Sequence, residues 1–261
     1  MAIRAVGRRL ASPISCLSGA GGYTVRVLHG YLADCGPCPY LPERTFRAFL
    51  PEPNPPTLIS YRELMDQRFR RSGDHIYLPM CQNCDACRPI RLAVAGFIPR
   101  EDQRRCRQRN RDLNVTFHAR GANAERNELY RRYQSTVHAK DPGADPNDSL
   151  VEDGGIPGGE LHARDGSGRL LAVSVVDLVG DALSSVYCYY DPDERRRSLG
   201  TFMVLSEIIY AQRFGLRWLY LGFHVAGCEK MSYKARFGPA ELLVDEKWRP
   251  FGTAANGETH A

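Results

Sequence analysis

One stretch in the C-terminal half leaves the chain little freedom of fold. "RLLAVSVVDLV" and "ALSSVYCYYD" are β-branched and aromatic runs parted by Gly180-Asp181, a hairpin turn signal. A basic loop follows and leads into "SLGTFMVLSEIIYAQRFG". There Phe202, Leu205, Ile208, Ile209 and Gln212 fall on one side of a helix. "LRWLYLGF" reads as a further strand. Hairpin, glycine loop, helix and strand in that order indicate an α/β (α+β) fold that binds its ligand at the strand ends. The loop "DERRRSLG" adds arginines to a helix N-terminus, whose free N–H groups suit phosphate.

The N-terminal half has another texture. Residues 35–56 are Pro-rich and lack a period, so an irregular, metal-pinned segment is expected. "SYRELMDQRFRRSG" reads as a helix capped by Ser60, with Glu63 three residues on and Gly73 at its end. "HIYLP", "IRLAVAGF" and "NVTFHA" read as strands, and "PREDQRRCRQRNRDL" and "ANAERNELYRRYQSTVHAK" as helices. Turn residues dominate 141–159, which predicts a flexible loop. The expected division is a largely disordered leader over 1–33, a cysteine- and arginine-rich domain over 34–140, the loop, a C-terminal domain over 160–251 and a tail over 252–261.

Composition excludes some classes. The 261 residues are 43% hydrophobic and 25% charged, as in an ordinary soluble domain, and no apolar run is long enough to span a membrane. No apolar stretch follows Arg8 and Arg9, so a secretory signal is absent and a cytoplasmic protein is expected. The net charge of +5 is mild, but Arg100, Arg104, Arg105, Arg107, Arg109 and Arg111 crowd one predicted helix. Such a face suits a polyanion, above all a nucleic-acid backbone. "EKMSYKARFGP" sets Lys230, Lys234 and Arg236 among Tyr233 and Phe237, an interleaving that suits a base or a phosphate.

Cys35 and Cys38 form one cluster, and Cys81, Cys84 and Cys87 another at successive C-x-x-C spacings. In a reducing compartment such clusters point to zinc or an iron–sulfur cluster rather than to disulfides. The Cys-Gly-Pro-Cys of residues 35–38 also allows a redox pair, but no βαβ pattern surrounds it. Cys16, Cys106, Cys188 and Cys228 are read as small buried hydrophobes.

Arg197 through Thr201 resemble motif A of the GNAT acyltransferases, which implies a GNAT-like fold. Phe202 stands where that motif has a small residue, so coenzyme A is not expected. More widely, "CPYLPER", "FRRSGDHIYLPMCQNCDACRPIRLAV", "RRCRQRNRDL", "SSVYCYYDPDERRRSLGTF" and "LYLGFHVAGCEKMSYKARFGPAELL" resemble the arginyl-tRNA–protein transferase family. The likeness is strongest to its bacterial aspartate/glutamate leucyltransferase branch. It runs in order from about residue 34 to 250 and departs at 141–160.

The resemblance implies transfer of leucine from leucyl-tRNA to the N-terminal amine of proteins starting with Asp or Glu, a degradation signal of the N-end rule. It also implies metal on the N-terminal cysteines and a monomer without a membrane partner. An arginyl-tRNA donor, a metal-containing RNA-binding protein without transferase activity, and a CoA-dependent acetyltransferase are the alternatives. The donor ester is already activated, so holding ester and amine together could supply roughly 7–11 kcal/mol of the barrier. Asp177, Tyr189, Asp191 and Lys234 are the candidates for the reacting region. Arg71, Arg91 and Arg236 are candidates for the acceptor carboxylate, because guanidinium pairs with a planar anion through two hydrogen bonds. The terminal adenosine and its phosphates are expected on Arg197, Ser198, Gly200 and Tyr233, and the acceptor stem on Arg104, Arg105, Arg107 and Arg109.

Overall fold

A computed structural model describes residues 16–17, 27–54, 60–121, 123–138 and 154–251. In chain order its elements are β1 (Cys16–Leu17), β2 (Val27–Leu28), β3 (Gly30–Pro37), β4 (Thr45–Pro51), α1 (Tyr61–Asp66), β5 (Arg70–Ser72), β6 (His75–Pro79) and β7 (Arg88–Ala93). There follow α2 (Glu101–Arg109), β8 (Asn114–His118), α3 (Ala124–His138), β9 (Gly158–Arg164), β10 (Leu170–Val179) and β11 (Ala182–Tyr190). The last are α4 (Leu199–Arg213), β12 (Trp218–His224), α5 (Glu229–Ser232), β13 (Ala240–Val244) and β14 (Lys247–Phe251).

Eight strands form one sheet in the order β14-β13-β7-β12-β11-β10-β9-β8, and β3-β4-β6-β5 form a smaller one. In the large sheet every pairing is antiparallel except β11 with β12. That parallel ladder is short: Ala182, Leu183 and Ser184 face Trp218, Leu219 and Tyr220. Beyond it both strands leave register, β11 by a bulge opposite Val175/Val176 and β12 by an irregularity between Tyr220 and Phe223. Gly222 supplies the turn in β12 with a φ of +78°, a conformation that side-chain-bearing residues rarely adopt. The two strands therefore part, and the parting creates the site described below.

Opposite faces of β10 and β11 pack against different helices, as the two-residue period of a strand requires. Ala172, Val176, Leu183, Leu219 and Leu221 meet Phe202, Met203, Leu205 and Ile208 of α4. Val173, Val175 and Tyr189 meet Leu129, Tyr130 and Tyr133 of α3. Each large apolar side chain buried this way contributes about 1.5–3 kcal/mol. The small sheet packs through Phe46, Ala48 and Tyr77 on Phe223 and Val225, beside the end of β12.

The fold is mixed α/β, as expected, but five expectations change. Residues 35–54 hold regular strands, and 55–56 lie outside the described residues. β3 and β4 pair from Gly30↔Pro51 to Pro37↔Thr45, with prolines at the ladder's ends, where a missing N–H costs least. The helix capped by Ser60 forms its capping box but stops at Asp66, not at Gly73. Arg68 turns left-handed (φ 72°), Phe69 is buried, and Arg70 and Arg71 run inward as a strand.

The expected leader over 1–33 contributes to sheets at Cys16–Leu17, Val27–Leu28 and the start of β3, while 1–15 and 18–26 lie outside the described residues. Of the 141–159 loop, residues 141–153 also lie outside them, but Gly158 and Gly159 begin β9. Gly158 is there because a Cβ would lie 2.2 Å from the carbonyl oxygen of Val176. Finally, the 34–140 and 160–251 parts do not separate, because β7 and β8 belong to the large sheet. Among the described residues no helix is long and apolar enough to cross a membrane.

Candidate active site where two strands part

At the parting, the carbonyl oxygen of Gly222 accepts from Arg70 Nη2 at 3.3 Å and that of Phe223 accepts from Lys234 Nζ at 2.7 Å. Lys234 is only 7% exposed. Burial, reinforced by the nearby charge of Arg70, lowers its ammonium to about 7, with Cys228 and Cys87 opposing. Lys234 can therefore both give and take a proton near neutral pH.

Beside it, the first turn of α4 forms the floor of a pocket of about 260 Å³ lined by Arg105, Arg109, Ser198, Thr201, Tyr233 and Arg236. Free N–H groups of the helix start and three guanidinium groups make it attractive to an anion. Arg109 Nη1 donates to the carbonyl oxygen of Arg196 at 2.5 Å and to Ser198 Oγ at 3.4 Å, which holds it across the helix start. Arg236 pairs with Asp102, and Arg105 with Glu101. Gly200 lies in the same turn, facing the ring of Tyr190. The ring of Tyr233 is 40% exposed at the pocket. Its hydroxyl is pushed up by burial and then by Cys188, Glu207 and Tyr190, and Lys234 Nζ lies 5.9 Å from the centre of its ring. Tyr233 thus links the pocket to the parting.

Glu207 of α4 escaped the sequence reading. Its side chain is buried, and Ser174 Oγ and Ser185 Oγ both donate to Oε1, the latter at 3.0 Å. Oε2 has no hydrogen-bond partner. Burial raises the carboxyl to about 7 against the effect of the two serines. One signal was available: Glu207 lies four residues after Met203 and four before Ala211, inside the apolar stripe.

Most of the other expected site residues are engaged elsewhere. Asp177 is bound by Arg71 at 3.0 and 2.8 Å and by Arg120, so neither Asp177 nor Arg71 faces the pocket. Tyr189 is fully buried under Tyr130, edge to face at 5.3 Å. Asp191 is buried and accepts from Arg132 at 2.9 Å and from the N–H of Asp193 at 3.0 Å, which makes it a loop anchor. Arg91 lies between the rings of Trp218 and Trp248, at 3.8 and 3.9 Å, and binds Glu241 at 2.8 Å. Arg197 grips Asp112 at 2.9 and 3.0 Å and so buttresses the basic loop. Apart from Tyr189, whose buried hydroxyl has no hydrogen-bond partner, an opposite charge satisfies each group before a ligand could.

Arg104 and Arg107 point into a second, larger groove of about 860 Å³ that also contains Arg111, Arg213, Phe117 and Tyr210. It lies on the other side of α2 from Arg105 and Arg109. The four arginines expected to hold an acceptor stem are thus divided between two adjacent cavities.

The cysteines converge from β3 and from the turn before β7. Cys35, Cys38, Cys81 and Cys87 all border the core of the small sheet. Burial, and then the thiols of Cys81, Cys38 and Cys84, push Cys87 up to about 12. Mutual repulsion of this kind is what a bound cation relieves, and four soft donors suit zinc or iron–sulfur ligation. Yet among the described residues no group of three or more His, Cys, Asp or Glu side chains is set closely enough to hold an ion. Cys106 and Cys228 are buried and Cys188 borders the core, as expected, whereas the side chain of Cys16 lies outside the described residues.

Two sequence profiles match the chain: the N terminus of arginine-tRNA-protein transferase over residues 36–105 and its C terminus over 125–244. An aspartate/glutamate leucyltransferase of Pseudomonas putida KT2440 is 43% identical over 217 residues, covering 81% of this chain and 92% of that protein. Another, from Pseudomonas paraeruginosa PA7, is 40% identical and covers 84% and 94%. A solved structure, L-PGS from Bacillus licheniformis, aligns with a TM-score of 0.44 at 11% identity, covering 64% of this chain and 50% of that one.

Proposed function

The chain belongs to the arginine-tRNA-protein transferase family, and we propose that it moves leucine from leucyl-tRNA to the N-terminal amine of proteins beginning with Asp or Glu. It is an aminoacyltransferase that acts on tRNA and protein. The observation that best supports the finer reading is the basic pocket at the start of α4, lined by Tyr233, whose ring lies 5.9 Å from Lys234 Nζ.

The 3′-terminal adenosine rests on the exposed face of Tyr233, and its phosphates meet Arg105, Arg109 and the helix start. The aminoacyl ester then enters between the parted strands. The acceptor's α-amine attacks the ester carbonyl, a C–N bond forms, and the C–O bond to the ribose breaks. Lys234, with a folded value near 7, takes the proton released by the amine and returns it to the leaving ribose oxygen. Of the three arginines expected to read the acceptor's carboxylate, Arg236 alone lines the pocket, and it fills that role by exchanging Asp102 for the substrate.

The two cysteine clusters would be the ligands of any structural zinc or iron–sulfur cluster, for which their side chains are not set closely enough here, and no chemical step passes through it. Aminoacyl-tRNA is a cytoplasmic substrate, which suits a cytoplasmic enzyme.

Purified protein incubated with radiolabelled leucyl-tRNA and peptides beginning with Asp, Glu or Ala tests the reading. Label is expected on the acidic peptides alone. Label from arginyl-tRNA only would move the donor assignment. Label from neither, with tRNA still bound, would leave an RNA-binding relative.

A further inference from the structure

Four acidic side chains are buried among the described residues: Glu160, Asp177, Asp191 and Glu207. Arg126 neutralises the first, Arg71 and Arg120 the second, and Arg132 the third. Glu207 has no such cation. Its influences are burial and two serine hydroxyls, both on Oε1, while Oε2 is shielded from solvent without a partner. In a chain with 35 lysines and arginines, a buried carboxyl left without one is conspicuous. An uncompensated charge there costs several kcal/mol, and a carboxyl of that kind is more stable with a cation beside it.

Its place in the fold indicates where a cation could come from. Ser185, which donates to Glu207, is the first residue of β11 beyond the parallel ladder. Tyr233 lines the anion pocket, and its ring lies 5.9 Å from Lys234 Nζ beside the parted strands. Glu207 therefore lies beneath the point where β11 leaves β12, with Oε2 free to pair with a group that enters there.

We propose that Glu207 reads the free α-ammonium group of the aminoacyl ester. The proposal rests on the transferase reading above and assigns the donor class more narrowly. Ammonium on Oε2 supplies the missing counter-charge and holds the carboxyl ionised. It also turns the ester carbonyl toward Tyr233 and Lys234. Esters with an N-acylated amine, including peptidyl esters, cannot make the pair, nor can an α-hydroxyacyl ester of the same shape. The site thereby excludes donors that would leave a blocked residue on the acceptor.

Nitrous acid converts leucyl-tRNA to α-hydroxyisocaproyl-tRNA, which keeps the side chain and the ester but loses the charge. With native enzyme and an Asp-initiated peptide, kcat/KM is expected to fall at least about 30-fold on that change, the smaller end of what breaking a buried charge pair costs. In Glu207→Gln the ratio between the two donors is expected to narrow to within about threefold, a size below that range. Native enzyme that uses both donors equally overturns the proposal without touching the transferase reading. So does a Glu207→Gln variant that slows both donors alike and keeps the native ratio. No transfer from leucyl-tRNA at all overturns the transferase reading, and the proposal with it. The comparison of donors on native enzyme requires no variant to fold.

Discussion

Arg71 sets its guanidinium squarely on Asp177, Nε to Oδ2 at 3.0 Å and Nη2 to Oδ1 at 2.8 Å, with both side chains wholly shielded from solvent. Arg120 approaches the same carboxylate from the loop after β8. The pair locks β5 of the small sheet to β10 of the large one and places no charge near the parted strands. Asp177→Asn should therefore destabilise the fold by about 3–5 kcal/mol, since it leaves guanidinium charge buried without its partner. Urea unfolding checks this. The folded fraction should keep a kcat within a few-fold of native, and a specific loss of kcat at unchanged stability would return Asp177 to the chemistry.

Lys234→Met removes the proton carrier and keeps the stem's apolar volume. We expect kcat to fall roughly 10²–10⁴-fold, the usual range for a general acid–base group, with KM for aminoacyl-tRNA nearly unchanged. A variant that keeps native kcat would confine Lys234 to holding the carbonyl of Phe223.

Arg104→Glu combined with Arg107→Glu reverses charge in the larger groove without touching the core. tRNA affinity should fall, and the slope of log affinity against log salt should shrink by about 0.7–0.9 for each phosphate that the protein no longer neutralises. An unchanged slope would mean that the acceptor stem runs elsewhere.

Glu207 and Lys234 make opposite demands on stability as pH changes. The folded value of Glu207, about 7, lies above its ordinary 4.5, so its contribution is present below pH 4.5 and is lost as pH rises through 7. The folded value of Lys234, about 7, lies below its ordinary 10.5, so its contribution is present above pH 10.5 and is lost as pH falls through 7. Urea midpoints at several pH values should show Glu207→Gln abolishing the falling limb and Lys234→Met the rising one. Parallel curves for native and variant proteins would refute both shifts.

Cys81→Ser and Cys87→Ser together should abolish bound zinc or iron in protein purified without chelator. They should also loosen the small sheet, whose core borders both residues. Metal analysis of the native protein comes first, and a metal-free native protein would end the assignment.

Local structure was open to a reading from the chain alone. The Ser60–Glu63 capping box and the turn at Gly180-Asp181 depend on neighbours a few residues away, and both stand where expected; of the α4 stripe, Phe202, Leu205 and Ile208 are buried, whereas Ile209 and Gln212 are exposed. The paired strands of residues 30–51 were hidden because prolines at strand ends look like breaks in sequence. The arginine-rich α2 was evident as a charge run, but not the division of its two sides between separate cavities.

What the chain's letters could not express is which charged groups remain available. Arg71 and Asp177 are 106 residues apart, and Arg91 and Glu241 are 150 apart, yet each pair meets and is satisfied. Family motifs, elements and basic character therefore followed from sequence, since they rest on residue type and short-range periodicity. The site followed from packing alone. Only when β11 and β12 part does burial lower Lys234, isolate Glu207 and set Arg236 beside Ser198 at one helix end. Desolvation and pairing depend on position in three dimensions, and they determine which of many similar charges can act.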